Sequence, residues 1–292
     1  MDYEKENQLQ ETLVVNIEDE GEAEQAHHER KRPAGKPKRK LSRFGRAVLY
    51  VILFSSVGMA AYSGFQLYKG LKDYRDSENA YQNLANTAGQ NEEAVVTTDE
   101  GGSCSYSKVD FAALREINPD VVGWLSLEDT VINYPVVQGT DNEHYLHHLF
   151  TGEYNNTGCL FLDVDDAKDF TSRNSIIYAH HMRNGSMFAE LEGYRKQEYY
   201  EAHKQLILQT PEGTYLAEPF AGLLTDGYSD YIQIEFADDD AFLSYVEQMR
   251  EQSTFQSDVT VTAEDRILTM STCRYDVENG RYAVFAKLTP ME

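Results

Sequence analysis

The chain opens with polar sequence and then changes abruptly to an apolar run. Residues 47–68 are 22 positions without a charged side chain. At a rise of ~1.5 Å per residue they form a helix of ~33 Å, which is long enough to cross a hydrocarbon core of ~30 Å. The alternative is a cleaved signal peptide, but 46 residues precede the run and no A-x-A-like cleavage site follows it. The pattern therefore predicts an uncleaved, single-pass membrane anchor.

Hydrophobic periodicity weakens after the anchor and returns near residue 106. Residues 69–88 have a partly helical pattern and predict a stalk, whereas residues 89–105 have the composition of a linker. We therefore expect four segments: a cytoplasmic tail (1–46), the transmembrane anchor (47–68), a helical stalk with linker (69–105) and a globular domain (106–292).

The globular domain consists mostly of short apolar runs, which predict strands. Helical patterns occupy 186–203 and 238–251. In the second, Asp238 is a plausible N-cap and the apolar stripe has i, i+3, i+4, i+7 spacing. This combination of many short strands and few helices predicts a mainly β fold with helical insertions, either a barrel or a sandwich. The eight strand candidates are 122–127, 131–137, 158–163, 174–180, 205–210, 214–224, 265–273 and 281–288.

The charge distribution supports the same division. The net charge of -23 argues against a nucleic-acid-binding protein. Residues 1–46 hold 10 acidic and 10 basic side chains, so the whole excess of negative charge lies after the tail. Nine Lys or Arg and no acid occupy residues 30–46, which by the positive-inside tendency predicts a cytoplasmic N-terminus and an extracellular domain. Beside a membrane span, this basic segment is expected to contact anionic lipid.

Three cysteines, Cys104, Cys159 and Cys273, give an odd number, so at least one is unpaired. Cys159 lies in an apolar strand, which is typical of a buried and unreactive thiol, although a Cys104–Cys159 bridge remains an alternative. No C-x-x-C pair occurs, which disfavours a thiolate zinc site.

Cys273 has a different setting, because it ends an apolar strand. A short loop follows, and Arg281 opens the next strand. A hairpin of these two strands predicts Cys273 and Arg281 on facing positions, with backbones ~5 Å apart. A neighbouring guanidinium favours the thiolate, which is the nucleophilic form of cysteine.

A cysteine nucleophile that cleaves an amide also needs a group that protonates the leaving amine. His180 and His181 end a strand candidate, as Cys273 does, and either could supply it. His144, His147 and His148 could ligate a metal but are expected to form a polar surface cluster. A second cluster after a strand lacks EF-hand spacing, so we expect a solvated acidic loop without metal or cofactor. It comprises Asp163, Asp165, Asp166 and Asp169.

These residues resemble a known family. Residues 269–273 (TMSTC) are similar to the T-L-x-T-C motif of sortases, with Met in place of Leu. Residues 178–180 (YAH) resemble their Y-G-H segment, with Ala for Gly, and the order His, Cys, Arg is the sortase order. Residues 117–148, 158–163 and 180–191 resemble class B enzymes in particular.

The resemblance implies a membrane-anchored cysteine transpeptidase of the Gram-positive cell surface, folded as a closed eight-stranded barrel. It implies catalytic roles for His180, Cys273 and Arg281, and it selects His180 over His181. The implied partners are secreted proteins with an NPxTx or xPxTG sorting signal and a peptidoglycan amine. The residues implied in the substrate groove are Asn142, Leu146, Tyr178, Tyr231, Ile232, Ser271 and Thr272.

Two alternatives remain at this point. A pilin-polymerising sortase would use the same chemistry with a pilin lysine as the acceptor. A non-enzymatic, membrane-tethered peptide-binding module would need none of the three catalytic residue types, so the presence of all three disfavours it.

Overall fold

In the computed structural model, residues 42–89, 93–97, 103–227, 231–274 and 279–291 are described, without the side chains of 93–97, 103–105, 273 and 274. The predicted tail up to residue 41 lies outside these ranges. The chain divides into two compact units, Met1–Gly58 and Met59–Glu292.

A single long helix, α1 (Arg43–Thr87), contains both the predicted anchor and the predicted stalk. It is long and apolar enough to cross a membrane, and none of its most apolar 18-residue window is buried by protein. Three residues near its C-terminal end, Ser77, Tyr81 and Leu84, are buried instead. The most apolar window of the helix is thus exposed, whereas its C-terminal part belongs to the second unit and joins the core of that unit.

The stretch expected as a linker contains two short strands. β1 (Glu93–Thr97) and β2 (Ser103–Ser107) pair antiparallel with each other. A short helix that the sequence pattern did not predict, α2 (Phe111–Ile117), follows. Asp110 caps it by accepting a hydrogen bond from the backbone N–H of Ala113 at 3.0 Å.

Eight strands close into a barrel, in the order β10-β8-β7-β3-β4-β5-β6-β9. Every strand candidate of the sequence corresponds to one of them, so the closed barrel is confirmed and the sandwich is excluded. The strands are β3 (Val121–Leu127), β4 (Asn133–Val137), β5 (Leu160–Leu162), β6 (Asn174–Ala179), β7 (Leu206–Gln209), β8 (Thr214–Asp226), β9 (Arg266–Arg274) and β10 (Gly280–Met291).

Both faces of β10 are buried, because one faces the barrel interior and the other faces a helix. Tyr282 and Val284 belong to the main core, whereas Ala283 and Phe285 belong to a second cluster. That cluster includes helix α4 (Asp239–Glu251). The predicted stripe of α4 is buried as expected, and Asp238 accepts from the Ala241 N–H at 2.8 Å.

The structure corrects one predicted helix and excludes one alternative for the cysteines. The helix expected over 186–203 is divided into a 3₁₀ helix, Phe188–Arg195, and α3, Gln197–Ala202, because Lys196 between them has extended backbone angles. The Cys104–Cys159 bridge does not form, since Cys159 is a free, buried thiol. Burial raises the pKa of Cys159 to about 12, which agrees with the prediction of an unreactive thiol.

Candidate active site

Three strands bring the predicted catalytic residues to one end of the barrel. In the antiparallel pair β9–β10, Arg281 lies opposite Cys273. In the parallel pair β6–β9, Ala179 lies opposite Thr272. His180 follows Ala179 directly, just beyond the end of β6, as Cys273 follows Thr272 on β9. Three residues distant in sequence thus converge because strand pairing fixes their register.

The imidazole of His180 is held by a backbone carbonyl. Its Nε2 lies 2.8 Å from the carbonyl oxygen of Leu146, and a carbonyl only accepts, so Nε2 carries the proton. Burial lowers the pKa of His180 from its ordinary value, the hydrogen bond to Leu146 raises it, and His147 lowers it again. The rings of His147 and His180 are 6.2 Å apart. In the neutral imidazole, Nδ1 is therefore the basic nitrogen.

His181 has other contacts. It forms an isolated β-bridge with Met187, and its Nε2 lies 3.8 Å from a carboxylate oxygen of Glu192. His181 also lies one position beyond the level of Cys273. The geometry therefore favours His180 as the partner of Cys273.

Arg281 is half-buried, and in the described residues its guanidinium bonds to neighbouring backbone. Its Nη1 donates to the backbone carbonyls of Asn279 at 3.3 Å and Gly280 at 3.1 Å. In the part of the chain that the structure describes, no carboxylate forms an ion pair with Arg281. A guanidinium opposite a strand-end cysteine is the kind of group that favours a thiolate or an oxyanion, and the register places Arg281 opposite Cys273.

The predicted groove residues form two hydrogen-bonded groups. Tyr178 donates to Asp163 Oδ2 at 2.8 Å, and Asn142 donates to the same oxygen at 3.1 Å. The hydroxyls of Tyr231 and Ser271 are 2.9 Å apart, and both residues are buried. These contacts connect side chains that the sequence predicted only as a set.

The remaining groove residues differ in exposure. Ile232 is 40% exposed, whereas Thr272 is buried and its hydroxyl has no hydrogen-bond partner in the described residues. Leu146 is half-buried and contributes its carbonyl to His180. Among these three residues, only Ile232 presents a largely open apolar surface to a ligand.

The sequence pattern predicts Asp163 in a solvated loop, yet its carboxylate accepts from the predicted groove residues Tyr178 and Asn142. That expectation is wrong for Asp163 and Asp166, which are 5% and 6% exposed, while Asp165 and Asp169 are exposed. The available signal was the position of Asp163 at the end of the apolar run GCLFLD, next to the strand that carries Tyr178. In the described residues, no group of three or more His, Cys, Asp or Glu side chains is arranged to hold a metal ion.

Comparison with known proteins agrees with this geometry. The sortase domain family matches residues 125–289. The chain belongs to the sortase family. It is 34% identical over 248 residues to sortase B of Listeria monocytogenes, a match that covers 84% of this chain and 96% of that protein.

Solved structures lead to the same class. The structure of Staphylococcus aureus sortase B in complex with substrate matches with a TM-score of 0.60 and 36% identity, covering 62% of this chain and 84% of that one. Sortase B of B. anthracis matches with a TM-score of 0.64 and 33% identity, covering 75% and 99%. The protein is thus a class B sortase, a cysteine transpeptidase with a closed eight-stranded barrel.

Proposed function

We propose that this sortase cleaves a C-terminal sorting signal of the NPxTx or xPxTG type after its Thr and transfers the protein to a peptidoglycan amine. The observation that supports the proposal is the strand register, in which Arg281 lies opposite Cys273 and Ala179, directly before His180, lies opposite Thr272, directly before Cys273. The solved structure of S. aureus sortase B in complex with substrate supports a sorting-signal substrate for this chain.

In the first step, the Cys273 thiolate attacks the Thr carbonyl carbon and a C–S bond forms. The carbonyl oxygen becomes an oxyanion, which the Arg281 guanidinium stabilises. When the scissile C–N bond breaks, the imidazolium of His180 gives its Nδ1 proton to the leaving amine. The products are a thioacyl enzyme and a neutral imidazole.

In the second step, the acceptor amine attacks the thioester carbon and loses a proton to Nδ1 of His180. The C–S bond breaks, so the thiolate and the imidazolium are both restored. The competent enzyme therefore has one proton shared between Cys273 and His180. With ordinary pKa values of ~8.5 and ~6.5, most molecules at pH 7 hold that proton on sulfur, which predicts modest turnover.

The groove residues would hold the signal next to Cys273. Asp163 fixes the orientation of Tyr178 and Asn142, and the hydrogen bond between Tyr231 and Ser271 fixes the second pair. The exposed side chain of Ile232 would contact an apolar part of the signal.

The candidate membrane helix would anchor the enzyme at the cell surface. The basic segment 30–46 on its N-terminal side supports a cytoplasmic N-terminus. The domain after residue 68 would then be extracellular, where secreted proteins with sorting signals pass.

The test uses the full-length chain in detergent micelles and quenched fluorescent peptides of both signal types. We expect C273A to abolish cleavage and the thioacyl intermediate in mass spectra. The matched control, C159A, removes a buried thiol and should retain turnover. Cleavage that persists in C273A would overturn the proposed function.

A further inference from the structure

The C-terminal end of helix α1 contacts the loop that holds His180. Tyr81 is 6% exposed, and its hydroxyl donates to the backbone carbonyl of Gly158 at 2.6 Å. Burial raises the pKa of Tyr81 well above its ordinary value, so the hydroxyl remains a donor. Two further bonds join the helix to this loop, from Asn155 Nδ2 to the carbonyl of Asp73 and from Asn156 Nδ2 to its carboxylate.

Gly158 lies directly against the backbone that accepts from His180. It has a φ of +65°, and a Cβ on it would lie 2.5 Å from the Tyr145 carbonyl oxygen and 2.8 Å from that of Leu146. Only glycine fits so close an approach. The adjacent N–H of Cys159 donates to the Tyr145 carbonyl at 2.9 Å. The chain at 158–159 therefore supports the carbonyl of Leu146 from behind.

A second path runs through the ring of Tyr81. That ring packs edge-on against Tyr134 with centroids 5.3 Å apart. The Tyr134 hydroxyl accepts from the N–H of Met187 at 3.4 Å, and the next N–H, of Phe188, donates to the carbonyl of His180 at 3.1 Å. Tyr81 is thus linked to the supports of both the side chain and the backbone of His180.

The chemical consequence concerns the tautomer of His180. The Leu146 carbonyl accepts from Nε2–H, which leaves Nδ1 as the nitrogen that takes and gives the proton. If that carbonyl moves, the proton can reside on Nδ1, and Nδ1 is then no longer the nitrogen that can accept a proton. Fixing a tautomer through the second ring nitrogen is a general device of histidine catalysis.

We propose that Tyr81, on the helix outside the matched sortase domain, is a positioning residue for His180, acting through Gly158 and the carbonyl of Leu146. The inference rests on the acid–base role of His180 in the proposed function. It gives the juxtamembrane helix a part in turnover in addition to anchoring.

The experiment compares Y81F with Y194F in the full-length chain. Tyr194 is a matched control because its buried hydroxyl also donates to a backbone carbonyl, that of His203, at 2.7 Å. Each variant loses one buried hydroxyl, so both should lose similar thermal stability. We expect Y81F alone to lower kcat about five-fold with KM unchanged, as the loss of one orienting hydrogen bond implies.

The deciding readout is the tautomer of His180, followed by ¹⁵N NMR of histidine-labelled protein. Wild type and Y194F should show the proton on Nε2, and Y81F should show a mixture with the proton on Nδ1. G158A, which pushes on the Leu146 carbonyl, should shift kcat and the tautomer further in the same direction. If G158A fails to fold, the comparison of Y81F with Y194F still decides.

The inference is overturned if Y81F and Y194F have the same kcat and the same His180 spectrum. H180N separates this failure from that of the proposed function. If H180N is inactive while Y81F resembles Y194F, only the role of Tyr81 is lost. If H180N retains wild-type turnover, the acid–base assignment itself is wrong.

Discussion

Basic side chains lie towards both ends of the group formed by strands β6, β9 and β10. Their hydrogen-bond and ion-pair partners differ between the two ends. At the end with β6 residue 174, Arg173 contacts Asp239 at 2.8 Å, Lys287 contacts Asp265 at 3.1 Å, and Arg266 donates to the Phe170 carbonyl at 2.9 Å. At the other end, Arg281 and His180 bond to backbone carbonyls only, within the residues that the structure describes.

The difference separates basic side chains that contribute to folding stability from those whose charge can interact with a ligand. A basic group paired with a carboxylate has its charge compensated in the folded state. Within the described residues Arg281 has no such partner, and it lies opposite Cys273 in the strand pair. We therefore expect substitutions at the paired end to change stability and substitutions at the Cys273 end to change activity.

The largest effect is expected for Arg281. R281K keeps the charge but loses the planar fork that binds a carbonyl oxygen, so kcat/KM for the sorting peptide should fall ~10²–10³-fold. The free energy of unfolding in urea should change by less than ~0.5 kcal/mol, because the lost bonds are local and partly exposed.

The matched control is the same substitution at the opposite end of these strands, R266K, because Arg266 also donates to a backbone carbonyl. It removes the bond to the Phe170 carbonyl and the packing of the guanidinium on Tyr215 at 5.3 Å. Stability should fall by ~0.5–1 kcal/mol while kcat/KM is retained. Equal losses of activity in R266K and R281K would contradict the comparison.

Arg173 gives the next largest effect, and it is on stability. Its guanidinium contacts Asp239 and stacks on Phe242 at 4.4 Å, so R173M should cost ~1–2 kcal/mol of unfolding free energy in urea. Turnover of the sorting peptide by R173M should match that of wild type. The control is L243M, a substitution on the exposed side of α4, which should leave both stability and turnover unchanged. Loss of turnover in folded R173M would show that the paired end also serves the reaction.

The strands of the barrel could be predicted from sequence because each is a short apolar run between turn residues. Closure could not be derived from periodicity, since it depends on pairings between distant strands such as β6 and β9. The resemblance to sortases supplied it. The break at Lys196 was missed because the pattern over 186–203 is compatible with one helix, and tertiary packing decided otherwise.

The candidate site was predictable in its residue types and less so in its contacts. The facing positions of Cys273 and Arg281 could be predicted, because the sequence indicates a hairpin between their two strands. The support of His180 comes from a carbonyl, which no side-chain pattern reports. Asp163 was missed because a run of acids looks solvated unless the strand beside it is known to carry Tyr178.

A smaller effect is expected from Asp166, whose carboxylate is buried with Oδ1 unpartnered in the described residues. Burial raises the pKa of Asp166 to about 6. The folded state therefore holds this proton more tightly than the unfolded state, and stability is lost as the pH rises from ~4, the unfolded pKa, through about 6.

D166N removes that loss and should raise the unfolding free energy by on the order of 1 kcal/mol at pH 7.5, after allowance for solvent screening. No gain is expected at pH ~4, where wild type is protonated as well. Urea denaturation at both pH values checks this, with D169N as the exposed control. A gain that is equal at both pH values would have another cause.

The smallest effect is a shift of the pH–rate profile by His147. The competent enzyme shares one proton between Cys273 and His180, and acid inactivates it by adding a second proton to the imidazole. The acidic limb of kcat/KM therefore follows the pKa of His180, which burial lowers first and His147 lowers further. H147Q removes the repulsion between two imidazolium rings, so the limb should move to higher pH while the plateau is retained.

H148Q is the matched control, because the His148 ring stacks on His144 at 4.0 Å and its Nδ1 contacts the His144 carbonyl. The limb should stay in place in H148Q. An equal shift in both variants would mean that surface charge in general, and not the neighbour of His180, sets the acidic limb.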